Sequence, residues 1–381
     1  MNRMIRLTGS VIATMLLLTN QALAEVTVEA GTTIVGQQTS KQNNTINKNI
    51  ISSADLVMDA DIGLGSLHLY VEASTTPTVS ASSVIAGSNL DAGTALNRNG
   101  KGRIQLSEIA YGFDFNAVSF SIGVQDLTSF ADATAVSNDE GSQFLADSLV
   151  NNPSISFPDY TPSIVLNYGS ENGLNVTALV ANAYGLSDNP NVNYGDLFKF
   201  GRDRNSGLKK GIFALSELRL SGDFGFVLGG WVRTSELPQH LGAANKSAAF
   251  GVYTDTDGSL GEQTLWSVRF GWNSGKATDE VVAHASLAVE HAYRDDHLIA
   301  LGVAWNGLSS EFKSTFSNAA NPLVAELYYR WKINEYIAIS PDVQCWSSAN
   351  SLSTSAGGAV GGTAWVYGLR IQIGGSHQMS H

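Results

Sequence analysis

The sequence predicts an all-β fold: a transmembrane up-and-down antiparallel β-barrel of about 16 strands. Three observations predict it. The first is a hairpin at 323–346. Leu323, Ala325, Leu327, Tyr329, Trp331 and Ile333 form one apolar row, opposed by Val324, Glu326, Tyr328, Arg330 and Lys332. After Asn334-Glu335 the pattern restarts, with Ile337, Ile339, Val343 and Cys345 against Ser340, Asp342 and Gln344. A period of two means strand, because successive side chains point to opposite faces. Each run has the length of a tilted strand crossing a bilayer's hydrocarbon layer, about 9–11 residues. The second observation is that tight and long connections alternate along the chain. The third is composition: 38 glycines, 8 prolines, 15% charged residues, mean hydropathy near zero, and no apolar run long enough for a helical span.

The strands follow in order. Residues 25–35 alternate through Val26, Val28, Ala30 and Ile34. Leu56, Met58, Ala60 and Ile62 oppose Asp55, Asp59 and Asp61, and Leu67, Leu69 and Val71 oppose His68, Tyr70 and Glu72. Runs 103–115 and 117–127 carry Tyr111 and Phe113, then Phe120 and Ile122, on their apolar rows. Runs 161–168, 174–184, 210–220 and 224–234 follow, then a short run at 248–254 and runs 262–272, 281–293 and 297–307. The hairpin comes next, and 363–373 is the last strand. Odd-to-even joins are long, above all 76–102 and 128–160; even-to-odd joins such as Gly63-Leu64-Gly65, Asn116 and Arg294–Asp296 are tight. That asymmetry belongs to outer-membrane barrels, with long loops on one side and short turns on the other. It also makes the chain one domain, 25–381.

Residues 1–24 read as a signal peptide. Arg3 and Arg6 precede the apolar stretch Val11–Leu18, and Ala22-Leu23-Ala24 fits the cleavage rule. Losing the two arginines takes the formal charge from −12 to −14. An acidic chain without a basic cluster excludes nucleic acid as an expected partner. The one cysteine, Cys345, rules out a disulfide framework and sits on an apolar row. Membrane lipid and small polar solutes are the expected partners; a homo-oligomer stays open, and no cofactor is expected.

Charges on the polar rows are the main chemical content: Glu108, Glu217, Arg219, Arg233, Arg269, Glu326, Arg330, Asp342 and Arg370. An arginine facing lipid at mid-depth costs about 2–4 kcal/mol, so these groups face water or one another. They either line a channel and hydrogen-bond a solute, or brace the wall as acid–base pairs across strands. Tyr70, Trp231, Tyr328 and Trp346, on the same rows, offer flat faces for sugar rings or for a loop plug. Trp272, Trp305, Trp331 and Trp365 face outward, as interfacial belts do. Loop 128–160, with Phe130, Phe144, Leu145, Phe157 and Pro158, folds either into the hole or over it as a cap. Asp255-Thr-Asp257-Gly258 before Glu262 resembles part of a calcium loop without its full pattern, and reads as an acidic turn without metal. His284 and Ser286 share a polar row, but no nucleophile elbow, metal motif or phosphate loop accompanies them.

Several segments, taken in order, resemble the carbohydrate-selective porin family of the OprB type: Leu106-Ser107-Glu108 with Tyr111, Gly123-Val-Gln-Asp126, Phe144-Leu145 before Pro153 and Phe157-Pro158, Gly211–Glu217, Gly251-Val-Tyr253, Glu326-Leu-Tyr-Tyr-Arg330, and Ser340-Pro341-Asp342-Val343-Gln344. The Pro-Asp-Val-Gln element is the most specific, and the likeness spans roughly 50–373. The resemblance implies a sixteen-stranded outer-membrane barrel passing mono- or oligosaccharides, with Glu108, Glu217, Glu326, Asp342 and Gln344 facing the channel. Three features depart from the family pattern. Gly123-Val-Gln lacks its lysine, Cys345-Trp346 replaces an aromatic–aliphatic pair, and Gly374–His381 follows the last strand where members end in an aromatic.

The reading that results is a passive outer-membrane channel for small polar solutes, sugars first, with a general or ion-preferring porin as the variant. A surface adhesion barrel without transport is the alternative from another class, and a hydrolase built on His284 and Ser286 is the third.

Overall fold

In the computed structural model, sixteen antiparallel strands close into one barrel. Residues 25–40, 46–78, 84–91, 96–97, 99–169, 173–186, 194–199, 201–202, 209–222, 224–237, 246–275, 281–315, 319–348 and 362–380 are described. Residues 1–24, expected from the sequence to be a signal peptide, lie outside them. The strands are β1 Glu25–Thr39, β2 Lys48–Ile62, β3 Gly65–Ser74, β4 Ile104–Phe115, β5 Val118–Gln125, β6 Thr161–Gly169, β7 Leu174–Asn182 and β8 Ile212–Leu220. Then come β9 Phe224–Leu237, β10 Lys246–Ser259, β11 Thr264–Asn273, β12 Val281–Arg294, β13 His297–Leu308, β14 Leu323–Lys332, β15 Ile337–Ser347 and β16 Thr363–Ser380. Each pairs with its sequence neighbours, and β1 pairs with β16 from Glu25↔Ser380 to Thr39↔Val366, which removes the free edges.

The alternation read from the sequence is the alternation of wall faces. Along β14, Leu323 and Leu327 are exposed on the outer face while Val324, Glu326 and Tyr328 are buried within. Along β13, Ile299, Leu301, Val303 and Trp305 face out, and Ala300, Ala304 and Asn306 face in. Trp272, Trp305, Trp331 and Trp365 are all on the outside. Turns form where the backbone conformation suits their residues: Gly63 and Asn116, with φ of 66° and 56°, close the β2–β3 and β4–β5 hairpins.

Three boundaries differ from the sequence expectation. The 248–254 run is in fact Lys246–Ser259, so Asp255-Thr256-Asp257-Gly258 is strand and not an acidic turn. The turn falls later, where the Leu260 amide donates to the Thr264 carbonyl at 2.8 Å. The inward row explains it: Asp255 stands opposite Arg269 in the β10–β11 register, and the Asp257 carboxylate lies 4.0 Å from Arg219. Cross-strand charge outweighs the turn preference of Asp and Gly. At the C-terminal end, residues 374–380 are not a tail beyond the last strand; they continue β16 and pair with 25–31 of β1. Gly374 suits that register, since a Cβ there would lie 2.7 Å from the Ala30 carbonyl oxygen. In β4, a bulge between the partners of Tyr70 and Val71 inserts Ser107. It lets Gln105 and Ser107 face inward on one side of the break and Glu108 and Ala110 on the other.

The outward belt makes a depth-dependent prediction. Leu301→Arg, at the centre of β13, should lower the unfolding free energy by about 2–4 kcal/mol, and Ile299→Arg, nearer the turn, by less. Urea titration of the barrel refolded into lipid vesicles reads both; equal costs at the two depths would contradict a membrane-spanning wall.

Candidate functional site: a loop held inside the barrel

The connection between β5 and β6, residues 126–160, folds into the hole. A backbone segment lying inside a barrel must have its N–H and C=O groups satisfied there, and the wall supplies the partners. The Glu326 carboxylate accepts from the amides of Leu145 and Ala146, each at 2.8 Å. Arg370 donates to the carbonyls of Glu140 (2.8 Å) and Gln143 (2.7 Å). Arg269 donates to the carbonyls of Val150 and Asp132, both at 2.7 Å, and pairs with the Asp132 carboxylate at 3.8 Å. Glu217 accepts from the Asp132 amide at 2.9 Å and from the Tyr253 hydroxyl at 2.7 Å. Arg219 donates to the Ala133 carbonyl, and Asp257 accepts from the Ala135 amide at 2.7 Å. Arg233 holds the far end through the Ser156 hydroxyl at 2.9 Å and also donates to the Ala183 carbonyl, just after β7, at 2.6 Å. Glu108 accepts from the Asp126 amide at 3.0 Å where the loop begins.

Packing follows the same lines. Phe144 meets Tyr328 edge-on at 5.1 Å, and Leu149 sits over Gly302 of β13, where a Cβ would lie 2.7 Å from the leucine methyl. The short helix α1, Asp147–Val150, buries Ser148, Leu149 and Val150. Phe213 stacks on Trp231 at 5.9 Å and meets Phe157 at 5.7 Å. Part of the β3–β4 connection enters as well. The Ser88 carbonyl accepts from Gln37 (2.8 Å) and Gln344 (2.9 Å), and Trp346 donates to Gln344 at 2.8 Å. Leu90 then donates to the Leu145 carbonyl at 3.0 Å, which ties the two loops together.

The twelve residues singled out as channel lining all stand on inward rows, but they divide into two groups. Arg269, Glu326, Tyr328, Gln344 and Arg370 are at most 1% exposed, and Glu217, Trp231, Arg233 and Asp342 are also buried. Glu108, Arg219 and Arg330 are only half-buried. Arg330 reaches the Gln372 side chain at 3.0 Å. Asp342 lies beside the Glu326 carboxyl and Arg370. Trp231, Tyr328 and Trp346 serve as floor for the loops, and Tyr70 meets Tyr160 at 6.2 Å.

Much of the open surface is made by groups that the sequence reading did not single out, Asp139, Glu140, Asp159 and Tyr160 among them. A cavity of about 510 Å³ runs along the loop, and its lining includes Asp126, Asp139, Glu140, Asp159, Phe157 and Tyr160. The run Asn138-Asp139-Glu140 was visible as sequence, but nothing in its spacing places it on the water side of a loop inside a barrel. His284 is buried, with Nδ1 2.8 Å from the Asn306 amide oxygen, and Asn306 donates to Ser148 of α1 at 2.6 Å. Among the described residues, no three His, Cys, Asp or Glu side chains converge as a metal cage.

With this geometry in view, comparison with known proteins settles the family. The model of the carbohydrate-selective porin family, OprB, matches residues 53–374. The chain belongs to that family. Its family and its fold are those of outer-membrane transport channels. The structure of Pseudomonas putida OprB at high pH is similar over 92% of this chain and 94% of that one, with a TM-score of 0.68 and 15% identity. A loop-deletion mutant of OmpT, an outer membrane protein of Vibrio cholerae, covers 92% of this chain and 99% of its own, with a TM-score of 0.53 and 13% identity. At these identities the likeness is one of fold. An uncharacterized protein of Aquifex aeolicus (strain VF5) is 41% identical over 69 residues, 18% of this chain and 22% of that protein. The match thus spans under a quarter of that relative's length.

Two predictions follow from the anchors. Glu326→Ala leaves the buried amides of Leu145 and Ala146 without an acceptor, a loss of about 1–3 kcal/mol for each. The loop should come loose, read as larger single-channel conductance and faster proteolysis within 126–160; Glu326→Gln, which keeps one acceptor, should do much less. The second concerns pH. Burial pushes the Glu140 carboxyl up to about 8, with Asp139, Asp91 and Asp126 adding to it; burial likewise pushes Asp91 up to about 7. Folding therefore favours the protonated forms, while the released loop ionises near the ordinary carboxylate value. Loop docking is then strongest in acid and weakens as pH rises towards about 8. Amide exchange at Leu145 and Ala146, corrected for intrinsic rates, should show protection falling over that window, and Glu140→Gln should flatten the fall.

Proposed function

We propose that this barrel passes small saccharides across the outer membrane by diffusion, and that the 510 Å³ cavity beside the inward loop is the narrow part of the path. Family membership over residues 53–374 is the observation that carries the reading. The site's chemistry supports it. A sugar presents many hydroxyls and one weakly apolar ring face. The cavity offers carboxylates and amides as hydrogen-bond partners, with the rings of Phe157 and Tyr160 beside them. Weak, repeated contacts of this kind let a solute leave as readily as it enters.

The wall residues take a different part from direct contact. Glu217, Arg269, Glu326 and Arg370 set the position of the loop, and the loop sets the width of the hole. Glu108, Arg219 and Arg330, which keep exposed surface, are the members of the predicted lining that solute reaches. The path performs no chemistry: His284 is engaged by Asn306 beneath the loop, away from the cavity lining. The outward apolar belt meets lipid. An adhesion barrel would use loops directed outward, whereas both of the longest described loops here pack inside.

Proteoliposome swelling tests the proposal. Rates should fall steeply from mono- to trisaccharide, and added sugar should interrupt the single-channel ion current. Swelling that ignores solute size, or a current indifferent to sugar, would instead indicate a general porin.

A further inference from the structure

We infer that the cavity beside the loop filters by charge, favouring neutral and positively charged sugars over anionic ones such as uronates and sugar phosphates. The inference rests on the saccharide-channel reading and adds which saccharides pass.

The argument begins with where the two signs of charge end up. Asp126, Asp139, Glu140, Asp147 and Asp159 line the 510 Å³ cavity, and among the described residues no lysine or arginine joins them. A smaller space of about 130 Å³ shares Asp139 and Glu140 and adds Asp55, Glu72 and Asp91, again with no basic side chain among the described residues that line it. The wall is not short of arginine. Arg269 and Arg370 are each 1% exposed, with guanidinium groups bonded to loop carbonyls beneath the loop. Arg233 is likewise buried against Ser156 and Ala183. At this level the loop separates the charges: its backbone oxygens hold Arg269 and Arg370 against the wall, and its carboxyl groups face the open space. Arg330 and Lys332 do meet open space, but in a third cavity at the tight-turn end, beside Glu335 and Tyr336.

Phe157 and Tyr160 line the same cavity and carry no charge, so a sugar's ring face can pack there whatever its charge, and the carboxylates decide which charge is admitted. In a narrow path with low-dielectric walls, one sign of fixed charge concentrates the opposite ion and repels its own.

The test uses the full barrel in planar bilayers and proteoliposomes. Under a KCl gradient near 0.1 M at about pH 9, above the value of about 8 to which burial pushes Glu140, the reversal potential should report a cation-to-anion permeability ratio above about 3, collapsing towards 1 near 1 M salt, where the screening length is only about 3 Å. Swelling should be as fast with glucosamine as with glucose, and several-fold slower with glucuronate. Asp139→Asn combined with Glu140→Gln, both close in shape to the native side chains, should reduce the ion preference and bring glucuronate towards glucose. Salt screening needs no substitution, so it tests the inference even if that variant fails to assemble. An anion-preferring or unselective native channel, or a double variant that passes glucose yet keeps the native preference, overturns the charge filter. A cation-preferring channel that passes no glucose supports the charge assignment and overturns the saccharide reading instead.

Discussion

The loop held inside the barrel by wall charges is the interaction on which the rest depends. A barrel wall with lipid outside cannot turn ionised groups outward, so arginines and carboxylates accumulate within. Left facing one another across a wide hole, they would hold a loose shell of water. Here they meet a backbone segment instead. Arg269 and Arg370 donate through their terminal nitrogens to loop carbonyls, and Glu326 and Glu217 accept from loop amides. Each partner answers a need of the other. A peptide segment away from bulk water requires donors and acceptors, and a buried guanidinium requires several acceptors at once. The loop is positioned by this exchange, and the apolar contacts of Phe144 and Leu149 fill the space that remains.

That arrangement explains which parts of the protein its sequence discloses. Strand order, inward rows and the asymmetry of connections are local properties of period and turn length, and they read off directly: Glu326 and Arg330 alternate with Leu327 and Trp331. What lies in the middle of the hole is decided by long-range contacts. Leu145 and Glu326 are 181 positions apart. No periodicity reports which of two loop faces meets the wall, so nothing in the pattern marks Asp139 and Glu140, and Trp231 and Tyr328 read as equally available to a sugar and to a plug. The strand at 246–259 was obscured for a related reason. Its acidic, glycine-containing stretch has turn chemistry, and only the arginines of neighbouring strands make it worth keeping extended. The β4 bulge at Ser107 likewise switches the inward row in mid-strand, which a strict period of two cannot express.

Family membership and physical reading bear on different layers of the molecule. The family's Pro-Asp-Val-Gln element supplies Asp342 and Gln344, and both are buried: Asp342 beside Glu326, Gln344 holding the Ser88 carbonyl. In this chain the most family-specific motif therefore belongs to the apparatus that places the loops. The cavity's acidic lining is loop surface instead, and the likeness to solved porins at 15% identity or less concerns the barrel.

One consequence of this layering is that the wall's charge and the channel's charge need not have the same sign. Counting inward side chains would give arginine a large share of the lumen, since Arg219, Arg233, Arg269, Arg330 and Arg370 all point inward. A guanidinium wrapped in carbonyl oxygens has little surface from which to attract an anion, whereas a carboxyl group on the water side of the loop acts on whatever enters. Selectivity is thus carried by the second layer, and the first layer acts on it through geometry. Neutralising Arg269 would move the loop before it changed the field that a permeating ion feels. The folded position of residues 126–160 is the structural variable that governs both the width of the path and its charge.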